Sequence, residues 1–149
     1  GGNDWFGPGS RIIITTRDKG LIIGYEAVLD ISCFFKGKRI EYVEEILAEF
    51  SATSNIEELV NKSLLTVEHG YLNMHDIIQD MGREVVRQEA PNPAKRSRLW
   101  FHQDVIDVLS AGDSGSDSIQ GIMLDPSQHI KVVDWNGTAF EKMNRLRIL

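Results

Sequence analysis

Leu64-Leu-Thr-Val67, Glu68-His-Gly70 and Tyr71-Leu-Asn-Met74 read as two short strands around a tight turn, and His75-Asp76 leads from them into the spaced apolar residues Ile77, Ile78, Met81, Val85 and Val86. β-formers on either side of a Gly-containing turn predict a hairpin. Apolar residues three and four apart predict a helix, here from Ile77 to about Gln88. Upstream, Asn55 with Glu58 three residues later resembles a capping pair for a short helix over Ile56 to Lys62. Before it, Ile40, Val43, Ile46, Leu47 and Phe50 form one apolar stripe, with Glu41, Glu44, Glu45 and Glu49 elsewhere, which predicts an amphipathic helix from Ile40 to Phe50. Val28, Leu29, Ile31 and Phe35 predict another from Tyr25 to Phe35, closed by Gly37. Three helices followed by a hairpin make a winged helix-turn-helix, and the helix after the hairpin packs against it. The fold class expected is therefore α+β, mostly helical.

Outward from this centre, Gly7-Pro-Gly-Ser10 is a turn, and Arg11-Ile-Ile-Ile-Thr-Thr16 is a β-branched run without alternation, as in a strand buried on both faces of a parallel sheet. Thr15, Thr16 and Arg17 would stand at its carboxyl end, where open parallel sheets bind ligands. On the other side, Pro91-Asn-Pro93 ends the last helix of the central domain, and Lys95-Arg-Ser-Arg98 reads as a solvated basic stretch before Leu99-Trp100. A short helix is expected from Gln103 to Leu109 and a linker from Ser110 to Ser118. Strands are expected at Ile119 to Leu124 and Lys131 to Val133, and a short helix from Thr138 to Arg145. Apolar Ile12 to Ile14 and Ile148-Leu149 are expected to be exposed and to favour self-association.

Composition limits the functions available. The 149 residues are 42% hydrophobic and 26% charged, as in ordinary globular domains. With 22 acidic against 16 basic residues the formal charge is −6, so no overall positive field attracts polyanions. The helix that would read DNA, Ile56 to Lys62, offers Glu57 and Glu58 where Arg, Lys, Asn or Gln are normal, which argues against nucleic acid as a partner. The lone Cys33 lies in an apolar run, where an inert buried thiol in a reducing, cytoplasmic setting is expected. No window is apolar enough for a membrane span, no leader opens the chain, and a start at Gly1-Gly-Asn3 suggests a fragment. His69, His102 and His129 are scattered, so no metal site and no catalytic residues are expected.

Several segments together resemble plant intracellular disease-resistance proteins of the nucleotide-binding leucine-rich-repeat family. Gly9-Ser-Arg-Ile-Ile-Ile-Thr-Thr-Arg-Asp18 is similar to the family's sensor strand, Leu29-Asp-Ile-Ser-Cys-Phe-Phe-Lys-Gly37 to the opening of its winged-helix subdomain, and Met74-His-Asp76 to its regulatory Met-His-Asp motif. Arg96-Ser-Arg-Leu-Trp100 and Ala139 to Leu149 resemble its linker and the start of its repeats. The wording of the first two segments resembles the branch with an amino-terminal Toll/interleukin-receptor domain. The resemblance implies a sensor-strand remnant at 1–23, a winged-helix domain at 24–99, and a linker with a first repeat segment at 100–149.

It also implies a switch that holds ADP at rest and exchanges it for ATP with Mg²⁺ on activation, with other immune proteins or family members as partners. In that scheme His75 contacts the ADP β-phosphate, Arg17 with Thr16 senses the γ-phosphate, and Asp76, as N-cap of the following helix, orients His75. A helix N-terminus suits a phosphate electrostatically. Two departures weaken nucleotide binding in this chain. No G-x-x-x-x-G-K-[ST] occurs in it, so the phosphate cradle and the Mg²⁺-holding hydroxyl are missing and no enzyme is expected. The family's helical subdomain is also replaced by Lys19 to Ala27, which joins sensor strand and winged helix directly. A nucleotide-independent interaction module is the alternative, and a nucleic-acid-binding winged helix the less favoured one.

Overall fold

The amphipathic stretch Ile40–Phe50 is helical over the expected length in the computed structural model, which describes residues 19–50, 56–111, 117–125, 127 and 139–148. The chain divides into two compact units between Val85 and Val86. The expected sensor strand at 11–16, the strand at 131–133 and the Asn55 cap lie outside the described residues.

In the first unit, α1 (Lys19–Asp30) starts six residues before the expected helix, and its last turn widens into a π-helical turn, Ile31–Phe35. The segment expected to be a plain connection is thus helical. The turn closes with the Lys36 N–H bonded to the Ile31 carbonyl at 3.0 Å, and Ile31, Cys33, Phe34 and Phe35 are all buried. Cys33 is among them, as an apolar neighbourhood predicts.

Gly37, at φ +82°, then turns the chain back, a conformation an L side chain resists. α2 (Ile40–Phe50) buries Val43 and Leu47 and leaves its four glutamates in water. Each buried side chain of this size contributes about 1.5–3 kcal/mol. α3 (Ile56–Asn61) buries Ile56 and Leu59.

The hairpin pairs β1 (Thr66–Glu68) with β2 (Tyr71–Asn73), Val67 opposite Leu72. Its two-residue turn has His69 at φ 53° and Gly70 at φ 81°, the left-handed pair of a type I′ turn, whose twist matches the strands. Alternation puts Leu72 fully inside and Tyr71 and Asn73 outside. The segment after the π-helical turn is hydrogen-bonded to β2 on its other side: Gly37 N–H donates to the Leu72 carbonyl (2.7 Å) and Leu72 N–H to the Lys38 carbonyl (2.8 Å). The last helix of the wing region is α4 (Asp76–Glu89). Helices followed by a wing are the α+β, mostly helical winged-helix fold expected.

The second unit is built on parallel pairing. β3 (Arg98–Leu99) pairs with β4 (Gly121–Ile122), Leu99 opposite Ile122, and Gly121 forms a parallel bridge to Ile148. A core of Leu99, Val105, Val108, Leu109, Ile119, Ile122 and Met143 fills it, with α5 (His102–Ser110) contributing three of these. Three expectations change here. Residues 139–145 form consecutive turns rather than a helix, because i→i+3 bonds (Met143 to Phe140, Leu146 to Met143) bring Arg147 and Ile148 onto the Gln120 carbonyl. Ile148 is accordingly buried, not exposed. The basic stretch is not a solvated run: Arg98 is 1% exposed, and Arg96 is held by the Ala90 and Pro91 carbonyls and by Asp104, leaving Lys95 in water.

Among the described residues no helix is long and apolar enough to cross a membrane. No group of His, Cys, Asp and Glu among them could hold a metal ion.

Candidate functional site

The site is the junction of β2 and α4, and it is built from a buried anchor outward. Met74 is 3% exposed, and its sulfur accepts a hydrogen bond from the Ser32 hydroxyl at 3.3 Å. Ser32 is itself fully buried in the π-helical turn, and its single hydroxyl proton is shared with the Val28 carbonyl, the shorter contact at 2.7 Å. The wide turn leaves the Ser32 carbonyl to side chains of α4, and Arg83 Nε (3.0 Å) and Gln79 Nε2 (3.3 Å) donate to it. Gly82 makes this approach possible. A Cβ there would lie 2.3 Å from Ser32 Oγ and 2.7 Å from Ser32 Cβ.

Held this way, the junction presents His75 and Asp76 to solvent. The expectation that Asp76 caps α4 is corrected. His75 is the N-cap: its carbonyl accepts from Gln79 N–H at 3.0 Å, the first intrahelical bond, and its Nδ1 accepts from Ile77 N–H at 3.1 Å. One of the amides a helix start leaves without an intrahelical partner is thereby satisfied by an imidazole. Asp76 is the first helical residue and is drawn off by Lys36, whose Nζ donates to Asp76 Oδ1 and, at 3.3 Å, to Gln79 Oε1. The Lys36 hydrogen bond, then its charge, holds the Asp76 carboxyl below the usual carboxylate range, against a smaller opposing contribution from burial and with the smallest, lowering one from His75.

Lys36 also neutralises the carboxylate next to the helix start, so the helix N-terminus is left with the partial positive charge of its backbone. With Nδ1 accepting, a neutral His75 carries its proton on Nε2 and offers a donor to solvent. One ring donor beside first-turn amides fits a single phosphate oxygen. Thr16 and Arg17 lie outside the described residues.

Lys36 went unnoticed in the sequence because it pairs with Asp76 across 40 positions. Gly82 had a readable signal, a glycine inside an otherwise helical pattern. A third signal lies in the second unit: Ile119, Ile122 and Leu124 recur as Met143, Leu146 and Ile148, a period of 24 residues. On α3, Glu57 and Glu58 are exposed, and Lys62 is tied to Glu58 at 2.7 Å, so this helix faces solvent with acidic character.

From Gly24 through the end of α4 the sequence fits one known profile. Residues 24–90 match the winged-helix domain of Roq1-like disease resistance proteins. The Roq1-like match covers α1 from Gly24, the π-helical turn, the wing and all of α4, and so includes Met74, His75 and Asp76. Among whole proteins, disease resistance protein RUN1 of Vitis rotundifolia is 43% identical over 124 residues, 81% of this chain and 9% of the relative. Disease resistance protein RPP2A of Arabidopsis thaliana is 38% identical over 123 residues, 81% and 9% respectively. TMV resistance protein N of Nicotiana glutinosa is 33% identical over 126 residues, 83% and 11%. The chain thus spans about a tenth of the length of these relatives.

Proposed function

We propose that this chain is part of a plant immune signalling switch of the nucleotide-binding, leucine-rich-repeat kind, of the branch with a Toll/interleukin-receptor domain. Its organisation would be a sensor-strand remnant at 1–23, a winged-helix domain at 24–99, and a linker with the first repeat segment at 100–149. The parallel pairing of Leu99 with Ile122 and of Gly121 with Ile148 supports the repeat assignment, since leucine-rich repeats stack parallel strands about every 20–29 residues.

The observation that carries the switch reading is His75, exposed at the start of α4 while the adjoining Met74 is locked inside. A nucleoside diphosphate whose terminal phosphate accepts from His75 would favour one arrangement of the winged helix, and exchange to the triphosphate another, a population shift set by differential contacts. Arg17 with Thr16 would read the extra phosphate. Mg²⁺ and the phosphate cradle would come from a loop that these 149 residues do not contain, so this chain alone binds nucleotide weakly and is not an enzyme. Its partners are other proteins, either family members or immune components, and its place is the cytoplasm.

The test is calorimetric titration of the folded chain with ADP and Mg²⁺, beside His75→Ala. Heat that disappears in the variant supports the switch reading. Absence of binding in both supports a nucleotide-independent interaction module, to be followed by partner capture. The acidic α3 disfavours the DNA-binding reading, for which a salt-dependent duplex complex would be the sign.

A further inference from the structure

His75 does two things with one ring. Its Nδ1 accepts from Ile77 N–H at 3.1 Å, while the residue stands exposed, and Nε2 has no protein partner among the described residues. Only the in-plane lone pair of a deprotonated Nδ1 can accept that bond. We infer that His75 is a proton-operated cap: neutral and fixed as the Nε2–H tautomer it closes the first turn of α4, and protonated it opens that turn.

The chemistry follows from the groups around it. Protonation turns Nδ1 from acceptor to donor, so two N–H groups face each other at Ile77. It also places a positive charge at the positive end of a 14-residue helix, where the macrodipole opposes it. Among the described residues, the charged groups recorded at this helix start are Asp76 on α4 and its partner Lys36 from the turn before α2. Asp76 is bound to Lys36. From β2 the neighbouring residue is Asn73, neutral and engaged with the Met74 N–H at 2.9 Å.

Opening is confined to the first turn, because one turn further on Gln79 and Arg83 remain fastened to the Ser32 carbonyl. Acid therefore loosens the exposed start of α4 without moving the buried anchor at Met74. The bearing on phosphate recognition rests on the nucleotide reading above: the neutral ring would offer one donor from a fixed direction, and the protonated ring a donor that has lost its hold on the helix. The cap itself does not depend on that reading.

The experiment is ¹⁵N NMR of the imidazole ring and of the Ile77 amide in the full 149-residue chain, without nucleotide, across a pH series through the His75 transition. The expected result at neutral pH is a pyridine-type Nδ1 and a pyrrole-type Nε2. The Ile77 amide should titrate with the same midpoint as the ring, its exchange protection falling about fivefold on protonation, the usual worth of an N-cap. His75→Asn supplies an acceptor that does not titrate, so Ile77 should stay protected throughout. His75→Ala should lose the protection at every pH. A pyrrole-type Nδ1 at neutral pH, or an Ile77 amide silent while the ring titrates, overturns the inference. Failure of ADP to bind would leave the cap standing, and ADP binding with a silent Ile77 amide would sink the cap alone.

Discussion

Gly82→Ala on its own should destabilise the first unit by about 2 kcal/mol, although alanine is the better helix former. On an exposed helix face the substitution would gain about 0.8–1.0 kcal/mol in propensity. At position 82 the new Cβ would sit 2.3 Å from Ser32 Oγ and 2.7 Å from Ser32 Cβ, both inside any real contact. The hydroxyl cannot swing aside freely, because its one proton is shared between the Val28 carbonyl and the Met74 sulfur, together worth about 1 kcal/mol. Overpacking of this kind costs about 1–3 kcal/mol, and immovable neighbours put it near or above the top of that range.

Ser32→Gly removes both clashing atoms at its own cost of about 2 kcal/mol, from the lost hydroxyl bond and a freer backbone. Additivity would put the double variant about 4 kcal/mol below the parent. Relief of the clash should return about 3 of those, leaving the double variant about 1 kcal/mol below the parent. The readout is the exchange protection of the Leu72 amide, which bonds the Lys38 carbonyl inside the first unit and so avoids averaging over two units in one melt. A Gly82→Ala variant as stable as the parent, or a double variant additive to within about 0.5 kcal/mol, would refute the close-approach argument.

Gly70→Ala should cost about 1 kcal/mol, since φ 81° is strained for any L side chain, and the Ile40 amide bonded to the Gly70 carbonyl should exchange faster. Lys36→Met should raise the Asp76 carboxyl back toward the usual carboxylate range in a ¹³C titration. The sign follows: with its value lowered in the folded state, the Asp76 contribution is present above the ordinary carboxylate range and is lost as pH falls through the lowered one, so the variant should flatten stability there. Ile122→Ala should destabilise the second unit by about 2–5 kcal/mol, read at the Met123 amide, which bonds the Leu99 carbonyl across the parallel pair.

Much of the first unit was legible because its forces are local or periodic. The apolar stripe of α2, the turn chemistry at His69-Gly70 and the run after Asp76 each specify an element within a few residues, and all three elements lie where their patterns put them. The start of α1 was missed: Leu21, Ile22 and Tyr25 carry the spacing of Val28 and Leu29 backwards, but Gly20 and Gly24 interrupt the pattern. The turns at 139–145 were missed for a different reason: helical spacing there competes with a long-range demand, the pairing of Ile148 with Gly121. Likewise, nothing in Lys95-Arg-Ser-Arg98 itself says that Arg98 will be buried, because that depends on the chain returning as β4 beside it.

For the candidate site, local sequence determined that a histidine and an aspartate follow a strand and open a helix, and the Met-His-Asp wording marked them. Which of the two would cap that helix was decided by tertiary structure. Asp76 is by type the better N-cap, but Lys36, 40 residues away, occupies its carboxylate, and the carbonyl that starts the ladder belongs to His75. The sequence carries the glycine that admits Ser32 to α4. Only the fold brings that serine, a π-helical turn and a buried methionine together, and so determines which ring nitrogen of His75 faces the helix and which faces the solvent.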